Sequence, residues 1–93
     1  MKLVAPTDFE ILETLEERGR NTGKNISLIL DRNRSYINSE MAKLASNGLV
    51  RRVGPAQNSG LYEITERGEV ALEYWRENED TNVDFEALIR DRI

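Results

Sequence analysis

The stretch from residue 21 to residue 65 constrains the fold most, because signals for two helices and two strands follow one another there at short spacing. The stronger helix is predicted from Arg34 to Asn47, since Asn33 can cap its first turn and Gly48 can end it. Its apolar residues recur at helical spacing and predict a buried face made of Ile37, Met41, Leu44 and Ala45. The remaining side chains of this helix are predicted to face outward or to flank the buried face.

A shorter helix is predicted directly before it, beginning after Thr22 and ending at a turn over residues 31–33. Its predicted buried face consists of Ile26, Ile29 and Leu30. Two helices joined by so short a turn form a helix-turn-helix, in which the second helix can enter the major groove of DNA.

Two strands are predicted after this pair, over residues 49–53 and 61–65, with a loop over 54–60 between them. The loop is too long for a tight hairpin and too polar for the core, so it is predicted to project as a wing. Gln57 and Asn58 are predicted to contact a minor groove or a phosphate backbone, and an ordinary surface loop is the alternative. The predicted fold class is therefore mainly α with a small β-hairpin wing, a winged helix-turn-helix.

Positive charge is concentrated in the same stretch, although the whole chain has a formal net charge of -4. Between residues 18 and 54 the only acids are Asp31 and Glu40, and the segments on either side are acidic. The basic residues of this stretch are Arg18, Arg20, Lys24, Arg32, Arg34, Lys43, Arg51 and Arg52. A basic segment with acidic flanks predicts one oriented face for an anionic partner such as DNA. Chance clustering of arginines on a solvated surface is the alternative.

Two kinds of DNA contact are predicted from these residues. Phosphate contacts, which give affinity without reading the sequence, are assigned to Lys24, Arg32, Arg34, Lys43, Arg51 and Arg52. Base contacts are assigned to the outward face of the second helix, that is, to Ser35, Tyr36, Asn38, Ser39 and Ala42. Their small hydroxyl, amide and methyl groups allow close approach to base edges, and a merely polar helix surface is the alternative.

The residue types that are absent argue against several kinds of chemistry. The chain has no cysteine and no histidine, which removes thiolate zinc sites, cysteine nucleophiles and the usual general base. A phosphate-binding loop at residues 19–25 is disfavoured because its two glycines are too close and Asn25 replaces the magnesium-binding hydroxyl. A hydrolase with paired carboxylates is disfavoured because the acids are predicted on solvated helix faces. We expect no catalysis, no metal and no cofactor.

Composition also suggests where the protein works. No secretory signal or membrane-length apolar run is found, so a cytoplasmic protein without a membrane partner is expected. Ten arginines against three lysines, with seventeen acids, are typical of proteins that work in concentrated salt, and an ordinary acidic bacterial domain is the alternative.

Further helices are predicted on both sides of the helix-turn-helix. The first begins at a capping box in which Thr7 and Glu10 satisfy each other's backbone donors, and Gly19 ends it. Its apolar stripe consists of Phe9, Ile11, Leu12 and Leu15. After the strands, Thr65 is predicted to cap a helix whose apolar side includes Val70, Ala71, Tyr74 and Trp75.

A last short amphipathic helix is predicted from Asp84, with a stripe of Phe85, Leu88 and Ile89 that needs a partner. The stripe can pack on the first helix of the same chain or on a second chain. We expect a homodimer, because winged-helix readers commonly recognise two half-sites. Residues 1–76 are thus assigned to a DNA-binding domain and 77–93 to a linker and possible dimerisation element.

Three segments resemble the winged-helix transcription regulators of the MarR, ArsR and PadR kind. They are Met41–Ala45, Gly48–Arg52 and Tyr62–Gly68, and the resemblance covers about residues 7–76. With the acidic composition, the chain is most similar to small repressor-like winged-helix proteins of haloarchaea and their viruses. The resemblance implies operator binding, usually as a dimer, but the chain lacks the cysteine and histidine ligand set of the metal-sensing members.

The predicted function is sequence-specific binding to double-stranded DNA as a transcription regulator of the repressor type. Residues 34–47 would read the major groove, and no residue pattern predicts a small-molecule effector. The alternative is a winged-helix module that binds another protein in a transcription or replication assembly. In that case Glu69, Glu73 and Glu77 would carry the binding, and changes at Arg34 or Asn38 would leave it intact.

Overall fold

The computed structural model describes residues 1–55 and 60–93. Its elements are α1 (Thr7–Arg18), β1 (Asn21–Thr22), α2 (Gly23–Leu30), α3 (Arg34–Ser46), β2 (Val50–Arg52), β3 (Leu61–Ile64), α4 (Glu66–Asn78) and α5 (Phe85–Arg92). The fold is mainly helical with a small antiparallel sheet, as the order of sequence signals predicted. The winged helix-turn-helix is thus confirmed as the fold class.

The described sheet has the order β1-β3-β2, with both neighbours antiparallel to β3. Val50 pairs with Ile64, and Tyr62 lies between Arg52 on one side and Asn21 on the other. β1 was not predicted, because two polar residues give no alternating apolar pattern. Since β1 leads directly into α2, it ties the start of the helix-turn-helix to the wing strands.

The core lies between α1, the inward face of α3 and α4. The predicted stripes of α1 and α3 are confirmed, with Phe9, Ile11, Leu12, Leu15, Ile37, Met41 and Leu44 all buried. α3 has the predicted limits to within one residue. The Asn33 side chain accepts a hydrogen bond from the N–H of Tyr36 at 3.0 Å, and Gly48 follows the helix with φ +77°.

The predicted capping box of α1 is wrong. Thr7 is buried and makes no capping bond, and the Glu10 carboxylate instead accepts from Arg32 at 2.6 Å. Asp8 takes over this role, because its Oδ2 accepts from the N–H of Val4 at 2.7 Å while its own N–H donates to the Val4 carbonyl. The carboxylate that ties the N-terminal segment to α1 is therefore a buried one.

α2 begins as predicted, with Thr22 Oγ1 accepting from the N–H of Asn25 at 3.1 Å. The prediction that Ile29 is buried is wrong, since its side chain is 39% exposed. The inward face has helical spacing and consists of Gly23, Ile26, Ser27 and Leu30. Ile29 lies about 100° away from Leu30 around the helix axis, outside this narrow face.

The first turn of α4 packs against Leu49, the residue before β2. Thr65 Oγ1 caps it by accepting from the N–H of Gly68 at 3.2 Å. A Cβ on Gly68 would lie 2.2 Å from the carbonyl oxygen of Leu49, so only glycine allows this approach. The predicted apolar side is confirmed, since Ala71 is buried and Val70, Tyr74 and Trp75 pack partly buried against the core. Leu72, which was not predicted, is also buried.

α5 covers its own apolar stripe within one chain. Phe85 and Ile89 are buried, and the Phe85 ring lies 6.0 Å from that of Phe9 and 5.8 Å from that of Tyr74. Of the two arrangements that the sequence left open, the structure has the one within the chain. A dimerising role for residues 77–93 stays a prediction.

Over residues 1–55 and 60–93, no helix combines the length and the apolar character that crossing a membrane requires.

Candidate nucleic-acid interface

The outward face of α3 carries all the residues that the sequence assigned to it. The exposed side chains are Arg34, Ser35, Tyr36, Asn38, Ser39 and Ala42. They are presented because the opposite face of α3 is anchored in the core and its first turn is capped by Asn33.

An open groove of about 490 Å³ lies between the start of α2, the outward face of α3 and the sheet. α2 contributes Lys24, α3 contributes Arg34, Asn38 and Ala42, and β2 contributes Arg52. Five residues that were predicted separately as DNA contacts thus line one concave surface, which we call the groove.

The three cations of the groove form no ion pair with an acid among residues 1–55 and 60–93. Arg52 has a neutral partner instead. Its Nε donates to the Tyr62 hydroxyl at 3.1 Å, and its guanidinium carbon lies 5.7 Å from the centre of the Tyr62 ring. This contact orients Arg52 without cancelling its charge. The positive charge of Lys24, Arg34 and Arg52 is therefore available to an anion.

Arg51 lies on the other face of the hairpin, because successive strand residues point to opposite sides. It is paired with Glu63, and Arg20 Nε also donates to that carboxylate at 3.0 Å. Hydrogen bonds from Arg51 and then from Arg20 hold the pKa of the Glu63 carboxyl below its usual range. Arg51 and Arg52 were both predicted as phosphate contacts, but only Arg52 lines the groove, whereas Arg51 pairs with Glu63 on the other face.

Gly23 allows the Asn38 side chain to pack closely against α2. A Cβ on Gly23 would lie 2.1 Å from Asn38 Oδ1, so the absence of a side chain lets the amide of α3 rest on the first turn of α2. The contact fixes where Asn38 enters the groove.

Arg32 and Lys43, which were also predicted as phosphate contacts, face α1. Arg32 donates to Glu10 at 2.6 Å. Lys43 donates to Asp8 at 2.6 Å and to Glu40 at 2.7 Å, and its side chain is 29% exposed. Because acids already match both charges, these residues are weaker candidates for phosphate contacts than the three cations of the groove.

The expectation that the acids lie on solvated faces is wrong for Asp8. Burial raises the pKa of Asp8 to about 6, and Glu40, which accepts a hydrogen bond from the protonated form of Asp8, acts in the same direction. That hydrogen bond lowers the pKa of Glu40. Burial alone would lower the pKa of Lys43, but its hydrogen bonds to Asp8 and Glu40 outweigh this and leave it above its ordinary value.

The remaining predicted contacts lie around the groove or outside the described residues. Ser35, Tyr36 and Ser39 are exposed on α3 beside the groove. Gln57 and Asn58 fall among residues 56–59, so their predicted wing contacts lie outside the described part of the chain.

Three solved structures are similar in fold to this chain. A MarR family transcription regulator is 27% identical, with a TM-score of 0.69 over 82% of this chain and 52% of that protein. A MarR family protein from Bacillus stearothermophilus is 24% identical, with a TM-score of 0.69 over 96% of this chain and 69% of that protein. A MarR family regulator from Neisseria meningitidis is 23% identical, with a TM-score of 0.69 over 82% of this chain and 55% of that protein. The fold is a MarR-like winged helix.

This chain spans about half the length of the first and third of these regulators. No protein-family model matches it, and no curated protein matches it.

Sequence reasoning did not identify Gly23, Tyr62, Glu63 or Asp8 as part of this surface or its support. Alternation along β3 would have separated Tyr62 from Glu63 and placed them beside Arg52 and Arg51. For Asp8 no such signal exists, because a buried acid and a solvated acid in the first turn of a helix have the same sequence pattern.

Proposed function

We propose that this chain is a sequence-specific, double-stranded DNA-binding transcription regulator that reads the major groove with α3. One observation carries the proposal. Lys24, Arg34 and Arg52, from three different elements, converge on the groove that also presents Asn38 and Ala42, and they pair with no acid among the described residues. Such a surface combines charge for phosphates with small polar groups for base edges.

Each part of the groove has a distinct role in this proposal. Lys24 and Arg34 bind phosphates at the N-terminal ends of α2 and α3. Arg52 binds a phosphate at the base of the wing. Asn38 and Ala42 enter the major groove, with Ser35, Tyr36 and Ser39 extending the contact along α3. Gln57 and Asn58 of the 54–60 loop reach the minor groove or the backbone.

The similar structures support the regulatory part of the proposal. The MarR family transcription regulator with 27% identity is similar in fold over 82% of this chain. The chain corresponds to about half of that protein, so everything beyond the shared fold is proposed for this chain on its own residues.

We further propose a homodimer that represses by occupying its operator. The support is geometric, since one α3 reads only part of one turn of DNA and symmetric readers double that contact. Residues 77–93 remain the proposed dimerisation element, and the exposed Leu28 and Ile29 of α2 offer a further apolar surface for the contact.

The acidic, lysine-poor composition supports a setting of high salt. Counterion release contributes little affinity there, so base contacts by α3 would have to supply more of it. In an ordinary intracellular salt concentration the groove cations would dominate.

The test is selection from a pool of random duplexes at low and high salt, with three proteins in parallel. These are the wild type, the Arg34→Ala/Asn38→Ala variant, and an Arg90→Ala control whose arginine is exposed on α5. We expect the wild type and the control to enrich the same two-fold symmetric sequence, and the double variant to lose it.

Absence of any enriched sequence, or equal selection by the double variant, would contradict the proposal. In that event a basic protein partner bound by Glu69, Glu73 and Glu77 becomes the leading function. Charge reversal at these three positions would then abolish binding.

A further inference from the structure

A buried carboxylate connects three parts of the fold at the back of α3. Asp8 is 0% exposed, and its Oδ2 accepts from Lys43 Nζ at 2.6 Å and from the N–H of Val4 at 2.7 Å. Lys43 also donates to Glu40, which lies one turn earlier on α3, at 2.7 Å. We call Asp8, Glu40 and Lys43 the Asp8 cluster, and it joins the N-terminal segment and α1 to α3.

The cluster is not fully satisfied. Asp8 Oδ1 is buried and has no hydrogen-bond partner within residues 1–55 and 60–93. A buried charged oxygen without a donor is costly, so burial disfavours the charged form of Asp8. The groups that stabilise this form are Lys43 and the N–H of Val4. The charged groups that contact Asp8 in the described chain, Lys43 and Glu40, both belong to α3. A change in the charge of Asp8 is therefore felt first by α3.

The cluster lies directly behind residues that face DNA in the proposed function. At about 100° per residue, Glu40 and Lys43 lie about 200° and about 140° around the helix axis from Asn38, which lines the groove. Because α3 is a stiff helix, a rotation about its axis that relaxes the Asp8 cluster also moves Ala42 and Asn38 against a base edge.

We propose that Asp8 is a positioning residue for DNA reading: its negative charge fixes the rotation of α3 through Lys43, and neutralising it lowers base selectivity while the fold is retained. This inference rests on the proposed function, because selectivity has meaning only if α3 reads DNA. Asp8 itself does not contact the DNA.

Acidity provides a way to remove the charge without a mutation. Burial raises the pKa of Asp8 to about 6, and the chain has no histidine to titrate in the same range. Losing one negative charge also strengthens phosphate binding, but this effect is the same for every sequence. The ratio of affinities for the selected and a scrambled duplex removes it and reports the alignment of α3.

The experiment measures this ratio at about pH 7.5 and about pH 5 at constant ionic strength, with the free energy of unfolding measured in parallel. For the wild type we expect the ratio to fall about fivefold at the lower pH, a part of what one bidentate base contact gives. Asp8→Asn should show the low ratio at both pH values. Glu13→Gln, which removes an exposed acid from the same helix, should follow the wild type.

A purely structural role for Asp8 makes a different prediction. In that case selectivity would follow stability, whereas positioning predicts that selectivity falls at pH 5 without a fall in the stability of the free protein. If Asp8→Asn does not fold, Lys43→Gln breaks the same link from α3 and should also show a low ratio at both pH values.

Two results would overturn the inference alone. They are a wild-type ratio that does not change with pH, and an Asp8→Asn ratio equal to that of the wild type, in either case with the motif still selected. If the wild type selects no duplex, the proposed function fails and this inference fails with it.

Discussion

Basic residues lie on two sides of α3 and differ in whether an acid pairs with them. On the groove side, Arg34 and its neighbours Lys24 and Arg52 have no acidic partner in the described part of the chain. On the side that faces α1, Lys43 is held by Asp8 and Glu40 at 2.6 and 2.7 Å. Basic residues of the same predicted class thus divide into free charges and charges that hold the helix in place.

The comparison shows that a basic residue is a good candidate for a phosphate contact only when its charge is uncompensated. Seen in the sequence, Lys24 and Lys43 are equivalent. In the fold, Lys24 can take part in binding, whereas Lys43 is a structural counter-ion for a buried carboxylate.

Removing two groove cations should have the largest effect. Arg34→Ala/Arg52→Ala should weaken binding to the selected duplex about 100-fold and reduce the slope of log affinity against log salt by about two. Fluorescence anisotropy over a salt series measures both quantities. Arg20→Ala/Arg51→Ala is the matched control, because it removes two arginines that pair with Glu63 and do not line the groove, and it should change affinity less than about threefold. Equal losses from the two pairs would remove the distinction between the hairpin faces.

Replacing each lysine with methionine in turn should separate effects on protein stability from effects on DNA affinity. Lys43→Met leaves Asp8 buried without its cation and should lower the free energy of unfolding by about 2 kcal/mol, or the melting temperature by about 10 °C. Lys24→Met should leave the melting temperature within about 2 °C of the wild type and weaken DNA binding several-fold. Thermal denaturation and anisotropy on both variants measure the two effects. If neither lysine were paired with an acid, Lys43→Met would not lower the melting temperature more than Lys24→Met.

Stability should depend on pH through Asp8. Its folded pKa of about 6 lies above the ordinary value of 3.8, so the folded state binds the proton more tightly than the unfolded chain. The stabilising effect of that proton is complete below the ordinary pKa and is lost as pH rises through the folded pKa. Between pH 7 and pH 5 the free energy of unfolding should therefore rise by about 1 kcal/mol, as urea denaturation would show. The rise should disappear in Asp8→Asn, and a fall in wild-type stability over this range would contradict the buried, partly unsatisfied state of Asp8.

Adding a methyl group at Gly23 should have the smallest effect on stability and should reduce base selectivity only through Asn38. Gly23→Ala would displace the Asn38 amide, a flexible group, and so should reduce selectivity about threefold with a change in stability of about 0.5 kcal/mol. In an Asn38→Ala background the same change should have no further effect on selectivity. An additive loss in the double variant would show that Gly23 acts independently of Asn38.

The sequence predicted the fold wherever a local rule was sufficient. Asn33, Thr22 and Thr65 all cap the helices they were expected to cap or begin, because a capping bond is made within one turn. β1 escaped prediction because its two residues are strand only through pairing with β3. The capping box at Thr7 failed because Thr7 is already the first residue of α1, and the N–H of Glu10 donates to the carbonyl of Pro6 at 2.9 Å.

The candidate site was predictable as a set of residues but not as a geometry. The spacing of α3 placed Asn38 and Ala42 outward correctly, since a helix fixes which side chains share a face. Which cations remain free depends on acids distant in sequence, such as Asp8 for Lys43 and Glu63 for Arg51. Those partners are a matter of tertiary packing, which single-sequence patterns do not contain.

In the proposed function, DNA contacts the groove side of α3 and not its α1 side. The most direct measurement is an NMR titration of isotope-labelled wild type with the selected duplex, following backbone amides and the side-chain signals of Asn38 and Arg34. We predict the largest shifts at Lys24, Arg34, Asn38, Ala42 and Arg52, with small shifts at Glu13 and Arg76 on the far side of α1. Shifts concentrated on the acidic face of α4, with Asn38 and Arg34 unchanged, would contradict the account.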